Sequence, residues 1–110
     1  MDELTPEHIT PELVEKALTA EQPVERVLMA ARDDFTPTPE QFERGLTDEW
    51  AAVRYVFAAR KDFTPTNEQL KRGLNDPDLS VRSMFQMYEA NELKTQTGQQ
   101  QVSTAKKRVM

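Results

Sequence analysis

The sequence predicts an all-α fold, a short right-handed α-solenoid of about six helices arranged as three αα repeats. Three observations predict it: a repeat of 28 residues, apolar residues at helical spacing, and threonine and proline signals where helices begin. The chain has 110 residues, 37% of them hydrophobic and 30% charged, which suits one small domain. We place the repeat domain at residues 1–93 and a polar tail at residues 94–110.

The repeat is clearest in the middle of the chain. Residues 34–48 (DFTPTPEQFERGLTD) recur 28 positions later as residues 62–76 (DFTPTNEQLKRGLND). A third copy precedes them, because the Thr-Pro-Glu at residues 10–12 matches the one at residues 38–40. The predicted units are residues 8–35, 36–63 and 64–93.

The first helix of each unit is predicted to open at a threonine, whose hydroxyl accepts a hydrogen bond from a free backbone N–H of the first turn. It runs for about eight residues and closes at a leucine. Gln41 and Gln69 stand three residues after their threonines and complete a capping box, whereas Leu13 interrupts the box in the first unit. The threonines are Thr10, Thr38 and Thr66, and the leucines are Leu18, Leu46 and Leu74.

The second helix of each unit is predicted to run about eleven residues, to Arg32, to Arg60 and past Tyr88. In the middle unit, its apolar residues cover more than one face, which favours contacts with its own first helix and with both neighbouring units. A Phe-Thr-Pro link then turns the chain, because proline disfavours helix at the residue before it. Phe35 and Phe63 are expected to fill the boundary between successive units.

These motifs resemble HEAT-like repeats, and more narrowly the leucine-rich-repeat-variant type. The residues that carry the resemblance are the Thr-Pro-Glu openings and the Asn-Asp-Pro-Asp of residues 75–78 followed by Val81-Arg82. The resemblance covers roughly residues 8–90 and implies an α-solenoid fold. It does not imply one function, because such arrays serve many roles.

Charge is divided between the two predicted regions. Residues 1–93 carry 10 Lys/Arg and 19 Asp/Glu, a net charge of −9, and residues 94–110 carry four basic residues and no acid, a net charge of +4. An acidic body repels phosphates, so we expect no nucleic-acid binding by the body. The chain lacks cysteine and a long apolar run, so we expect a soluble, cytoplasmic protein without membrane contact.

No constellation of catalytic residues is evident. His8 is the single histidine, no cysteine is present, and no glycine-rich phosphate loop occurs. We therefore expect a protein that is not an enzyme and that needs no cofactor and no metal.

Arg26, Arg54 and Arg82 fall 28 residues apart and are expected to form a column on the second helices. The favoured interpretation is structural: Arg–Asp bonds between units, with Asp48 and Asp76 as acceptors. The alternative is a positive ladder that grips an acidic ligand.

Candidate partner-binding residues lie on two second helices. Trp50 departs from the repeat, where Gln22 and Asp78 stand, and interfaces are enriched in tryptophan and arginine. A core-edge role for Trp50 is equally open, and the methionine-rich last helix is more often the end of a core. The candidates are Trp50, Arg54, Tyr55, Met84, Met87 and Tyr88.

The tail ends in a basic cluster, Lys106, Lys107 and Arg108. Its polar composition predicts disorder in isolation, with a solvated tail favoured over nucleic-acid contact.

The leading functional hypothesis is a non-catalytic protein–protein interaction module that acts as an adaptor, inhibitor or assembly factor. A narrower version is a small phage or mobile-element protein, which size and acidity permit. The alternatives are a nucleic-acid-associated protein that uses the arginine column and the basic tail, and a self-associating structural protein.

Overall fold

A computed structural model describes the backbone of residues 9–104 and the side chains of residues 9–93. Over this range the protein has six helices and no strand, which confirms the all-α prediction. His8, Lys106, Lys107 and Arg108 lie outside the described residues. The helices are α1 Pro11–Leu18, α2 Pro23–Ala30, α3 Pro39–Leu46, α4 Ala51–Ala58, α5 Asn67–Leu74 and α6 Leu79–Thr104.

The chain divides into two compact units between Thr64 and Pro65. The first unit contains hairpin one (α1 and α2) and hairpin two (α3 and α4), and the second contains hairpin three (α5 and α6). In the first unit the helices of each hairpin pack on each other, and α2 packs against α4. Helix pairs therefore stack through their second helices, as αα repeats do.

The first helices begin as the threonine signals predict. Thr38 Oγ1 accepts from the backbone N–H of Gln41 at 3.1 Å, and the Thr38 N–H donates to Gln41 Oε1 at 2.9 Å. Thr66 and Gln69 repeat this capping box. In hairpin one only the threonine half is possible, and Thr10 accepts from the N–H of Leu13 at 3.2 Å.

Two glycines bring paired helices into close contact. A Cβ atom built on Gly45 would lie 2.1 Å from Cδ2 of Phe57, and one built on Gly73 would lie 2.2 Å from Cδ2 of Phe85. Both phenylalanine rings are buried. The first helix of hairpins two and three must therefore lack a side chain at this point.

The second helices of hairpins one and two are shorter than predicted. Each has eight residues and ends at Ala30 or Ala58, so the prediction of eleven residues was wrong. Beyond these alanines the chain tightens, with the Arg32 N–H donating to the carbonyl of Met29 at 3.1 Å and the Arg60 N–H to that of Phe57 at 3.3 Å. These bonds span three residues and close the helix instead of extending it.

Helix α6 of the second unit behaves differently, since it continues for 26 residues to Thr104. It passes the predicted tail boundary at Leu93, so the backbone of residues 94–104 is helical. Tyr88 and Ala90 stand where hairpin two has Arg60 and Asp62, and no proline follows. Despite its length, α6 is not apolar enough to cross a membrane, and neither is any other described helix.

Candidate functional site

The arginine column holds the loop that joins the two helices of each hairpin. Arg26 Nη1 donates to the carbonyl of Ala20 at 2.6 Å, six residues earlier in the chain. Arg54 Nη1 makes the same bond to Asp48 at 2.7 Å, and Arg82 Nη1 makes it to Asp76 at 2.8 Å. Each arginine thus provides a hydrogen-bond donor to a loop carbonyl that lies between the two helices of its hairpin.

Arg26 also links hairpin one to hairpin two. Its Nε donates to Asp48 Oδ2 at 2.8 Å and its Nη2 to Asp48 Oδ1 at 3.1 Å, and both side chains are largely buried. Asp48 Oδ1 accepts in addition from the backbone N–H of Trp50 at 2.9 Å. The predicted Arg–Asp bond between repeat units is therefore confirmed for this pair. Because Asp48 occupies the guanidinium fork of Arg26, that fork is not available to a ligand.

An open groove of about 550 Å³ lies in the first unit, at the ends of α2 and α4. Its apolar lining comes from short side chains, Ala31, Val56 and Ala59, with the ring of Tyr55 beside them. Its volume falls within the range of small-molecule ligand sites.

Arg60 builds one side of this groove and joins the two hairpins. Its Nη1 donates to the carbonyls of Ala30 at 2.5 Å and Arg32 at 2.7 Å, and its Nη2 donates to that of Phe35 at 2.7 Å. The guanidinium carbon lies 4.8 Å from the centre of the Phe35 ring. Only 7% of the side chain is exposed. Arg60 therefore binds carbonyls at and beyond the end of α2, a role that the sequence spacing did not indicate.

An arginine–aspartate pair fixes each charged rim of the groove. Arg60 Nε donates to Asp62 Oδ1 at 2.9 Å, and its Nη2 donates to Oδ2 at 3.0 Å. Arg32 pairs with Asp34 in the same way: its Nε donates to Oδ1 at 3.0 Å and its Nη2 donates to Oδ2 at 2.5 Å. Hydrogen bonds from Arg60 hold the pKa of Asp62 below its ordinary value, and those from Arg32 do the same for the pKa of Asp34. Both carboxylates consequently stay ionised at neutral pH.

The pattern Arg-x-Asp at residues 32–34 and 60–62 was the available sequence signal for these pairs. It shows that an arginine and an aspartate recur together, but it does not show that Arg60 reaches back to hairpin one. Asp33 and Lys61 occupy the middle position of the two patterns, and both are exposed groove residues of opposite charge.

The predicted residues of α4 do not form one surface. Trp50 is the N-cap residue of α4 and is 51% exposed, whereas Tyr55 is 39% exposed and lines the groove. Five residues on a helix correspond to a rotation of about 140°, so the two rings point to different sides. Arg54 between them donates to the loop carbonyl of Asp48, and a binding role for these three residues stays a prediction.

The predicted residues of α6 divide between core edge and surface. Met84 and Tyr88 are half-buried, and the Tyr88 ring lies 6.0 Å from that of the buried Phe85. Met87 is exposed. Only Met87 of the three is fully available for contact in the second unit, and a binding role for this group stays a prediction.

The described residues hold no cluster of three or more histidine, cysteine or acidic side chains that a metal ion would need. No family model, curated protein or solved structure matches the chain. The class of protein is therefore defined by its fold, an all-α protein whose paired helices pack as αα repeats do.

Proposed function

We propose that this protein is a non-catalytic protein-interaction module that binds a segment of another protein in the groove of the first unit. The observation that carries the proposal is the groove itself, with its apolar lining and the exposed ring of Tyr55. Aromatic side chains contribute large contact areas at little entropic cost, and they dominate the energy of many interfaces.

The lining suits a polypeptide partner. Ala31 and Ala59 have short side chains, so a bound backbone or apolar side chain can approach α2 and α4 closely. Arg32 and Arg60 on the rim are already paired with their aspartates before a partner binds. A preorganised rim reduces the ordering cost that binding otherwise incurs.

The rim also indicates the kind of segment that binds. Asp33 and Lys61 are exposed and carry opposite charges on the two sides of the groove. We therefore propose a segment with one apolar side chain flanked by polar or charged residues of both signs, because a uniformly charged segment would meet a like charge on one side.

The test blocks the groove and compares a matched surface change. Ala59→Arg places a long side chain in the groove directly after α4, and Ala52→Arg places the same side chain on the exposed surface of α4, outside the groove. The measurement is affinity capture from extracts of the source cells, quantified by mass spectrometry. With Ala59→Arg, the affinity for the captured partner protein is expected to fall at least about tenfold, a loss of about 1.4 kcal/mol of binding free energy. Tyr55→Ala is expected to reduce capture in the same direction.

Two results would contradict the proposal. One is equal capture by wild type and Ala59→Arg, and the other is an equal loss with Ala52→Arg. Capture of nucleic acid that weakens steeply with salt would favour the alternative that uses the arginine column and the basic tail. Growth of particle mass with concentration in light scattering would favour the self-association alternative.

A further inference from the structure

Arg82 in hairpin three is anchored as Arg26 is in hairpin one. Arg26 Nη1 donates to the carbonyls of Ala20 and Glu21, at 2.6 and 3.1 Å. Arg82 Nη1 donates to the equivalent carbonyls, of Asp76 and Pro77, at 2.8 and 3.1 Å. Because the same atom holds the same two positions of the repeat, the rest of each guanidinium has the same local placement.

Within the described residues, the other edge of each guanidinium group, formed by Nε and Nη2, holds a carboxylate in Arg26 but not in Arg82. In Arg26, Nε and Nη2 hold the carboxylate of Asp48 from the following hairpin. Arg82 is half-buried, and among residues 9–93 no carboxylate pairs with its Nε and Nη2. Hairpin three thus presents a prepared carboxylate-binding fork without the carboxylate.

The surface around Arg82 is open within the second unit. Leu79 is 67% exposed, and Ser83 and Gln86 are exposed as well. The equivalent positions of hairpin one are half-buried or buried where α2 packs against α4. These equivalents are Pro23, Val27 and Ala30. We call Leu79, Arg82, Ser83 and Gln86 the open edge of α6.

We propose that the open edge of α6 binds an aspartate or glutamate side chain of a different protein, with Arg82 as the bidentate donor. Ser83 and Gln86 offer hydrogen bonds around that carboxylate, and Leu79 offers an apolar contact. This surface lies in the second unit and goes beyond the proposed groove, so either proposal can fail without the other.

The register of the repeat argues against a second copy of this chain as the partner. The position of Asp48 and Asp76 is occupied by Ala20 in hairpin one, so a copy stacked in register would bring a methyl group to Arg82 instead of a carboxylate. The position 28 residues after Asp76 is Thr104, so α6 does not supply the acid either.

Charge favours an acidic partner at this end of the chain. Residues 94–110, which follow the open edge in sequence, carry four basic residues and no acid. This segment would attract a partner whose acidic residues are confined to its contact site, whereas the net charge of −9 on residues 1–93 would repel a partner that is acidic throughout.

The test uses disulfide exchange in the full chain, which contains no cysteine of its own. Gln86→Cys places one thiol four residues after Arg82, on the same side of α6. The probes are the peptides acetyl-Asp-Gly-Cys-amide and acetyl-Asn-Gly-Cys-amide, and intact-mass spectrometry follows their release as reductant is added. We expect half-release of the Asp probe at a reductant concentration at least about threefold higher than for the Asn probe.

The controls separate a specific fork from general attraction. Arg82→Gln is expected to abolish the preference, and Arg82→Lys to lose most of it, because lysine keeps the charge but not the planar fork. Ser80→Cys, on the other side of α6, is expected to show no preference for the Asp probe. Circular dichroism verifies that each variant keeps its helices.

Equal release of the two probes would overturn the proposal, as would a preference that survives Arg82→Gln. Sedimentation velocity decides the remaining alternative: a dimer of the cysteine-free chain that dissociates with Arg82→Gln would identify a second copy as the partner and overturn the assignment to a different protein.

Discussion

Hairpins two and three begin alike and end differently. Both open with a complete capping box, at Thr38 and Thr66, and both set a glycine against a buried phenylalanine of the second helix. Yet α4 ends at Ala58, whereas α6 continues to Thr104. Shared capping and packing residues therefore define the helix pair, and they do not define how far its second helix runs.

The difference lies in the residues that follow the shared phenylalanine. Hairpin two continues with Arg60 and Asp62, which pair with each other while Arg60 binds three carbonyls of hairpin one. Hairpin three has Tyr88 and Ala90 at these positions. The cation of Arg60 is fixed by tertiary contacts directly after α4. Helix α2 nevertheless ends at the equivalent Ala30, although the Arg32 guanidinium bonds to Asp34 alone within the described residues. What α2 and α4 share and α6 lacks is the Arg-x-Asp pair followed by a proline.

The largest expected effect comes from removing this cation. Arg60→Ala leaves the carboxylate of Asp62 and several backbone carbonyls without their donor, at a site where the arginine side chain is 7% exposed. We expect the free energy of unfolding to fall by about 2–4 kcal/mol. Urea unfolding followed by circular dichroism measures it.

Arg32 provides the matched control for Arg60. It makes the same bidentate pair with its own aspartate, but its side chain is much more exposed, and within the described residues its guanidinium bonds to Asp34 alone. Arg32→Ala is therefore expected to cost far less. Equal losses for the two variants would show that the aspartate pair, and not the carbonyl contacts to hairpin one, carries the stability.

The second expected effect tests what hairpins two and three share. Gly45→Ala and Gly73→Ala each drive a methyl group into a buried phenylalanine ring, and each is expected to lower the free energy of unfolding by about 1–3 kcal/mol. The sign of the change in unfolding free energy is informative, because alanine in a helix is otherwise favoured over glycine by about 0.5–1 kcal/mol. Urea unfolding again provides the measurement.

Removal of ring volume provides the control for the glycine variants. The double variant Gly45→Ala/Phe57→Leu is expected to lose less unfolding free energy than the two single variants lose together, because the smaller side chain makes room for the new methyl group. A stabilising Gly45→Ala would contradict the close contact between α3 and α4.

Local signals made the shared features predictable. The threonine caps and the leucine ends of the first helices depend on neighbours within one hairpin, and the sequence indicates both. The bond between Arg26 and Asp48 was also predictable, because a residue that recurs at a fixed interval indicates a packing role.

The groove and the contacts of Arg60 were not predictable in the same way. They depend on how closely α2 approaches α4, which places the carbonyls of Ala30 and Phe35 within reach of one guanidinium. Sequence spacing contains no measure of that approach. The length of the second helices was misjudged because α2 and α4 both close through bonds that span three residues, from Arg32 to Met29 and from Arg60 to Phe57, and the helical pattern of the residues does not indicate these bonds.

The smallest expected effect is a pH dependence at the end of α4. Hydrogen bonds from Arg60 lower the pKa of Asp62 from its ordinary value of 3.8, so the pair stabilises the fold above that value and loses its contribution as pH falls through the lowered pKa. Asp62→Asn should therefore reduce the loss of unfolding free energy between about pH 6 and about pH 3. The difference should stay below about 1 kcal/mol, because the Asp62 side chain is 32% exposed and solvent screens the pair.

Asp33→Asn removes a nearby exposed carboxylate without touching the pair and serves as the control in the same unfolding series. It should leave more of the acid sensitivity in place than Asp62→Asn does. If the two variants respond identically to acid, the carboxylate of Asp62 is not what positions Arg60. The carbonyls of hairpin one would then suffice to hold the arginine, and the end of α4 would be set by the stacking of α2 on α4 alone.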